Sequence, residues 1–434
     1  MKASYIKSSL LKTINSMNED PSLFVKRPGI DFTRKRKCSF ASLILCLLTM
    51  ESHSLNRELR RFFGFQTSHI LTKSAFIQQR EKLNKNAFPF IFSMLNRIFP
   101  SQKVFHGYHL MACDGSDVNL PPLKGDVENY VPSNTDEVGY YQMHINALYD
   151  ILEERYADVL IQNRADINER EALLAFLDRF PLSEKSIFTV DRGYFSLNTL
   201  AHLQLSGHSY LMRMRADDGR SFLARFQLPD SEEYDLPLEF YATRSAKKRY
   251  QEHPEKYVII PKKRTLDVLP DDDRKTLFHF STRLVKIRLN SGEAEYLLTD
   301  LPPEFFDLKL LKELYHLRWE IETSFRFLKY NIALNHFHCI RRDFIEQEIY
   351  ARMILYNLTM LLVHCVSPPD KNTKLHYKVS VSDAVITCRY YLIHRILNEE
   401  IEALLLRYLT PIRPGRSYPR KMRSKRFVSL TNRT

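Results

Sequence analysis

The first hundred residues carry apolar positions at helical spacing and little strand pattern. The pattern predicts helices at 40–50, 54–63, 72–83 and 87–99. Gly64 directly follows the second of these, where a glycine commonly ends a helix. Such a cluster of short helices is typical of a helix-turn-helix-like DNA-binding unit, and equally of a plain helical bundle. The sequence leaves both interpretations open.

A second pattern begins near residue 104, where short apolar runs alternate with helical stretches. The predicted elements are strands at 104–113, 141–151, 156–162 and 187–190, and helices at 169–180 and 196–205. Asn168 and Glu171 can form a capping box at the start of the first of these helices. The order strand, strand, strand, helix, strand, helix predicts a mixed α/β sheet.

The composition changes again at residues 207–300, which are rich in β-branched and aromatic residues in short alternating runs. Together with the turn signal Asn290-Ser291-Gly292, they predict a mostly β insertion. From residue 307 the pattern is helical once more. The chain ends in a basic tail without acidic residues, in which the cations include Arg413, Arg416, Arg420, Lys421, Arg423, Lys425 and Arg426.

Charge and cysteine usage narrow the class of protein. Lys and Arg outnumber Asp and Glu by 64 to 51, which gives a net charge of +13 and suggests a polyanionic partner such as nucleic acid. The six cysteines are scattered without a C-x-x-C pair, as expected for reduced thiols in the cytosol. We expect neither a signal peptide nor a membrane span, because the apolar stretch at 40–50 is too short to cross a bilayer.

The most informative segment is 314–330, which contains Tyr315, Arg318, Glu322 and Lys329 at offsets 0, 3, 7 and 14. At about 100° per residue, these positions fall within roughly 60° of one another on a helix. The apolar positions on the neighbouring stripe, which must face the core, are Leu314, Leu317, Ile321, Phe325 and Leu328. The simplest interpretation is an amphipathic helix with an i, i+4 ion pair between Arg318 and Glu322.

Two aspartates make a catalytic interpretation stronger. Asp114 and Asp191 each follow a predicted strand, and carboxylates at strand ends can converge with Glu322 on one point. Such groups repel one another unless a cation lies between them. Oxygen ligands without His or Cys select Mg²⁺ or Mn²⁺, and two such ions can cut a phosphodiester. Arg318 and Lys329 would then hold phosphates.

The choice of the first aspartate has one alternative, because Asp117 lies three residues after Asp114. The predicted strand-end position and the following Gly115 favour Asp114. On the next predicted strand, His144 and Asn146 are interpreted as ordinary polar positions.

The spacing Tyr-x2-Arg-x3-Glu-x6-Lys resembles the signature of the insertion-sequence-four family of bacterial DDE transposases. The resemblance extends over roughly 104–360. Three further segments are similar to family elements: CDGSD at 113–117, VDRGYFS at 190–196 and LLTDLP at 297–302.

The resemblance implies an α/β fold: an RNase H-like mixed sheet with flanking helices, interrupted by a β-rich insertion and preceded by a helical N-terminal region. The implied regions are the helical N-terminal region, expected to bind DNA, at 1–100; the first part of the catalytic core at 101–206; the insertion at 207–300; the second part of the core, with the motif helix, at 301–365; and a helical C-terminal region with the basic tail at 366–434.

The same resemblance implies a transposase that cuts phosphodiester bonds at the element ends and joins the 3′-hydroxyl to target DNA. The implied catalytic residues and metal ligands are Asp114, Asp191 and Glu322, and the implied DNA contacts are Tyr315, Arg318 and Lys329. It also implies two Mg²⁺ ions, for which Mn²⁺ can substitute. The expected partners are double-stranded DNA, as terminal inverted repeats and target, and a second copy of the chain in the synaptic complex. The expected location is the cytoplasm, in association with the nucleoid. The alternatives are an inactive DNA-binding descendant and a nuclease that cuts without joining.

Overall fold

The structure is a computed structural model, and it describes residues 1–34, 36–65, 68, 70–133, 139–181, 183–215, 221–289, 292–369 and 375–413. The predicted turn residues Asn290 and Ser291 and the basic tail beyond Arg413 lie outside these residues.

The helices of the described residues, in chain order, are α1 (Ala3–Glu19), α2 (Phe40–Thr49), α3 (Leu55–Phe63), α4 (Lys73–Arg80), α5 (Ala87–Ile98), α6 (Glu169–Arg179), α7 (Leu197–Leu205), α8 (Lys248–Gln251), α9 (Leu308–Leu317), α10 (Trp319–Tyr330), α11 (Arg342–Val363), α12 (Val381–Leu392) and α13 (Ile401–Arg407). The predicted helices of the first hundred residues are present, with α1 in addition. Gly64 ends α3 with a positive φ of 88°. Within the described part of the chain, no helix has both the length and the apolar character needed to cross a bilayer.

The strands of the described residues are β1 (His109–Leu120), β2 (Tyr130–Val131), β3 (Tyr140–Asp150), β4 (Arg155–Asn163), β5 (Ser186–Val190), β6 (Ser209–Met214), β7 (Tyr234–Thr243), β8 (Tyr257–Ile259), β9 (Phe278–Arg288), β10 (Ala294–Thr299), β11 (Tyr377–Val379) and β12 (Leu409–Pro411). The last two form a separate antiparallel pair, and the others join one sheet.

The core of the large sheet has the strand order β4-β3-β1-β5-β6. Strand β3 is antiparallel to both β4 and β1, whereas β5 and β6 run parallel to β1. Helices lie on both faces, because alternate residues of β1 enter different cores, with Ala112 on one side and Met111 and Cys113 on the other. This is the expected mixed α/β sheet of an RNase H-like fold.

The same sheet continues beyond β6 through β10, β9, β7 and β8. Strand β6 is parallel to β5, and β10 is antiparallel to β6. The β-rich residues 207–300 therefore supply β6, in the core of the sheet, and β7 to β10, which extend the sheet at one edge. The domain boundaries stay a prediction.

Helix α11 is the central helix on the first face of the sheet. Its side chains from Phe344 to Leu362 are buried almost all round, which is the pattern of a helix enclosed by other elements. Helices α2, α5, α1 and α12 pack against it. The N-terminal helices thus share one continuous core with the C-terminal helices. Whether they bind DNA stays a prediction.

Two predicted elements differ in detail from the structure. The strand predicted at 104–113 begins later and continues further, because Phe105 to Tyr108 form a tight turn with positive φ at His106 and Gly107. Strand β1 then pairs with β3 from Met111 to Leu120, so the polar stretch after Asp114 remains in the sheet. Asp114 therefore lies in the middle of a strand, which corrects the predicted strand-end position.

The predicted continuous helix over 314–330 is interrupted at one residue. Helix α9 ends at Leu317 and α10 begins at Trp319, with Arg318 between them at φ −53° and ψ −30°. The amide of Arg318 bonds to the carbonyl of Tyr315, and the amide of Ile321 bonds to that of Arg318, each at 3.2 Å. These three-residue steps are a tightened turn of the 3₁₀ type.

Candidate active site

The two aspartates come to the same level of the sheet through the pairing of β1 with β5. Cys113 and Val190 form the last pair in this parallel register, and Asp114 and Asp191 are the next residue on each chain segment. Cys113 and Val190 both enter the second core. Because side chains alternate along a strand, Asp114 projects to the opposite face, where α10 packs on β1. Asp191 leads into a one-turn 3₁₀ helix at Arg192–Tyr194 and accepts a hydrogen bond from the first amide of that turn.

Glu322 joins the site through Arg318. The guanidinium of Arg318 lies 2.9 Å from a carboxylate oxygen of Glu322 and 3.9 Å from one of Asp114. The i, i+4 ion pair of the simple amphipathic interpretation is therefore present. The Arg318 side chain is only 3% exposed and also reaches a carboxylate from another element, unlike an ordinary solvated pair.

The electrostatics of this group follow from burial and from mutual charge. Burial is the main cause that raises the pKa of Asp114 to about 6, and the carboxylates of Glu322 and Glu169 raise it further, against Arg318 and the amide of Gly115. Burial lowers the pKa of Arg318, but Tyr315, Asp114, Glu322 and Asp191 outweigh it, and the net shift is upward. Asp114 thus lies where a positive charge stabilises its ionised form.

The three expected DNA-contacting residues differ in exposure. Tyr315 and Arg318 are both buried, and the Tyr315 hydroxyl has no hydrogen-bond partner among the described residues. Lys329 is partly buried, and its Nζ donates to the Ser116 hydroxyl at 2.7 Å. Burial lowers the pKa of Lys329, against the nearby carboxylates of Asp117 and Asp114. The first two therefore lie beneath the site, and their contacts to DNA stay a prediction.

Asp117 takes part in a different set of contacts. It accepts from His144 at 2.8 Å and lies 3.4 Å from Arg164. Burial raises the pKa of Asp117, but the bond from His144 and the charges around it outweigh burial and lower it overall. These partners on β3 and on the turn after β4 leave Asp114 as the aspartate of β1 that faces Arg318.

Two residues beside the site were not assigned to it from the sequence: Glu169, and His144, which was interpreted as an ordinary polar position. The His144 Nε2 lies 3.4 Å from a Glu169 oxygen, and His144 links Glu169 to Asp117. Burial lowers the pKa of His144, but the two carboxylates outweigh it and raise the pKa to about 9. Glycine is required at 115, since a Cβ there would lie 2.3 Å from His144 Nε2 and 2.6 Å from Glu169. The glycine was the available signal, although the sequence does not show what it makes room for.

A divalent cation fits the chemistry of these side chains. Carboxylate oxygens are the ligands that Mg²⁺ and Mn²⁺ prefer, and the nearby Glu322 and Glu169 carboxylates add negative charge around Asp114. In the described part of the chain, no group of three or more His, Cys, Asp or Glu side chains converges closely enough to hold a metal ion. The charge between Asp114 and Glu322 is instead supplied by Arg318.

Comparison with known proteins adds independent evidence. The family model described as "Transposase DDE domain" matches residues 106–358, which is more than half of the chain. No curated protein matches. Among solved structures, the piggyBac transposase synaptic complex with hairpin DNA is similar at a TM-score of 0.47 and 11% identity, over 95% of this chain and 84% of that chain.

Proposed function

This chain belongs to the transposase DDE domain family of metal-dependent DNA-cutting enzymes, and on that basis we propose that it is the transposase of a bacterial insertion sequence. The proposed reaction is cleavage of phosphodiester bonds at the ends of the element, followed by joining of the freed 3′-hydroxyl to target DNA. The spacing of Tyr315, Arg318, Glu322 and Lys329 supports membership of the insertion-sequence-four family.

The observation that carries the proposal is the position of Arg318 between Asp114 and Glu322. These carboxylates are more than two hundred residues apart in sequence and come from a strand and a helix. Asp191 follows the strand paired in register with β1, so it reaches the same edge. Arg318 offsets part of the repulsion between Asp114 and Glu322, and bound cations would offset it further if Asp191 joined them.

We propose that Asp114, Asp191 and Glu322 hold two Mg²⁺ ions, for which Mn²⁺ can substitute. When bound, the ions supply the Lewis-acid chemistry that activates a water or hydroxyl and stabilises the leaving oxygen. The chain's own part is to orient the carboxylates: Arg318 holds Glu322, and the Gly115 amide donates to Asp114 at 2.9 Å.

We further propose that Tyr315, Arg318 and Lys329 engage DNA at the element end. Lys329 is the most accessible of the three, and its Nζ lies beside Ser116 on the same strand as Asp114. The proposed substrates are terminal inverted repeats and target DNA. Since two ends must be paired before joining, a homodimer is the proposed form in the synaptic complex.

The test uses DNA that carries the sequences flanking the coding region, incubated with purified protein and Mg²⁺. We expect Asp114→Ala, Asp191→Ala and Glu322→Ala each to reduce cleavage by roughly a thousandfold or more while end binding remains. Glu320→Gln is a matched control, because Glu320 is an exposed carboxylate on the same helix. Wild-type cleavage by any one triad variant would remove that residue from the site.

Strand-transfer products decide between the proposal and its alternatives. Joined products support a transposase. Cleavage without joining indicates a nuclease. Binding without cleavage in Mg²⁺ or Mn²⁺ indicates a DNA-binding descendant.

A further inference from the structure

A cleft of about 730 Å³ lies near Asp191, between the N-terminal ends of α6 and α7 and two segments of the β-rich region. We call it the α6–α7 cleft. Its walls include Ser196, Arg225 and Arg264. Ser196 is five residues beyond Asp191, and Arg170 ties the wall to the Asp191 loop by donating to the carbonyl of Gly193 at 3.0 Å. The cleft therefore opens next to the edge of the sheet that carries the aspartates.

The lining of the cleft is strongly basic. Arg170, Arg225, Lys263 and Arg264 line it, and Glu171 is the single acidic residue among the described lining residues. Within the described part of the chain, no ion pair joins Arg225, Lys263 or Arg264 to a carboxylate. Arg225 donates to the carbonyl of Phe222 at 3.2 Å, and its guanidinium lies 4.7 Å from the centre of the Phe222 ring.

The cations of this cleft repel one another. Burial lowers the pKa of Arg225, and the charge of Arg264 lowers it further. The repulsion between these cations is unfavourable, and an anion that enters the cleft relieves it, because each cation then lies near an opposite charge. Lys263 and Arg264 are exposed and free to reach a ligand.

Two further features favour an anion. The positive ends of the α6 and α7 dipoles point toward the cleft, although their caps at Asn168 and Ser196 already satisfy one amide each. The hydroxyl oxygen of Ser221, on the opposite wall, is buried without a hydrogen-bond partner among the described residues. The cleft thus combines unpaired cations, dipoles and an unsatisfied polar group.

We infer that the α6–α7 cleft binds backbone phosphates of double-stranded DNA that passes Asp191 on its way out of the active site. This inference rests on the proposed function, and it adds where the duplex is held. The contacts would be to phosphates and so would carry no base specificity. The β-rich region and the catalytic core would both contact the duplex, because each forms one wall of the cleft.

The experiment measures binding of the full chain to a DNA duplex of arbitrary sequence by fluorescence anisotropy, in EDTA and over a series of NaCl concentrations. The test variant is Lys263→Gln/Arg264→Gln, in which both positions are exposed. The matched control, Lys247→Gln/Lys248→Gln, removes the same charge from exposed lysines of the same β-rich region that do not line the cleft. Circular dichroism checks that both variants are folded.

We expect the test variant to bind more weakly and to lower the slope of log K against log salt by about 2, because each lost phosphate contact removes about 0.9. Arg225→Gln should lower the slope by about 1 more, and the control should keep the wild-type slope. A test variant with the slope of the control overturns the cleft assignment, even if wild type cuts DNA. A wild-type chain that neither binds nor cuts DNA overturns the proposed function, and the cleft assignment with it.

Discussion

Replacement of Glu348 by alanine is expected to destabilise the protein by about 3–5 kcal/mol, the range for removing one partner of a buried ion pair. Glu348 lies on α11 with its side chain fully buried. Its carboxylate forms ion pairs with Arg80 of α4 at 2.9 Å, with His338 at 3.1 Å and with Arg352 at 3.4 Å. The substitution leaves Arg80, only 3% exposed, without its carboxylate.

The size of the effect follows from what remains after the substitution. Arg80 would keep neutral acceptors, the side chain of Gln347 at 2.9 Å and the carbonyl of Phe344 at 2.5 Å. Its charge would nevertheless stay buried beside that of Arg352. Removing both charges, as in Arg80→Met/Glu348→Leu, should recover a large part of the loss, because no isolated charge is then left.

The assay is urea unfolding followed by circular dichroism at neutral pH. An adjacent pair provides the control: Glu81 pairs with Arg341, and the two side chains are 45% and 44% exposed. We expect Glu81→Ala to cost no more than about 1 kcal/mol, the usual value for a solvated pair. If Glu348→Ala costs as little as Glu81→Ala, the buried-charge argument is refuted.

The same residue predicts a pH dependence. Burial raises the pKa of Glu348, but His338, Arg80 and Arg352 outweigh it and hold the pKa well below its usual range. A carboxyl with a depressed folded-state pKa contributes stability above its unfolded pKa of about 4.5. That contribution is lost as the pH falls toward the folded-state value. The difference in unfolding free energy between wild type and Glu348→Ala should therefore shrink on acidification below about pH 4.5.

Two predictions concern the neighbourhood of the candidate site. Gly115→Ala should cost about 1–3 kcal/mol in urea unfolding, because its Cβ would overlap His144 and Glu169. Gly193→Ala should be nearly neutral, since its Cβ meets only Glu169 at 3.7 Å. Equal costs would contradict the crowding around residue 115. Asp117 and Glu169 raise the pKa of His144 in the folded state to about 9. His144→Gln should therefore destabilise the protein most below about pH 6.5. The difference in unfolding free energy from wild type should disappear as the pH rises through about 9. A difference that is constant between pH 6 and 10 would rule out a charged His144.

Local sequence patterns were sufficient for most of the elements. Helix α6 begins at the predicted cap, where Asn168 accepts from the amide of Glu171 at 3.2 Å. Strand β5 and helix α5 fall within one residue of the predicted ranges. The Arg318–Glu322 pair was also predictable, because an i, i+4 contact is set by helix geometry alone. The α/β class with a mixed sheet and flanking helices is confirmed.

Longer-range features were not available from local patterns. The predicted end of the first strand was wrong, since its length depends on the partner β3 and not on the residues of β1. His144 and Glu169 had no visible link, because strand register and helix packing bring them together. The roles of Asp114, Asp191 and Glu322 stay predictions.

The sequence by itself therefore determined the periodic elements, their approximate ends and the helical spacing of Arg318 with Glu322. Only the tertiary structure decided that Arg318 also reaches Asp114, that Arg80 meets Glu348, and that four cations line one cleft. The physical reason is the range of the forces. Backbone hydrogen bonds and side-chain periodicity act over a few residues, whereas register, burial and the pairing of buried charges depend on which distant segments pack together.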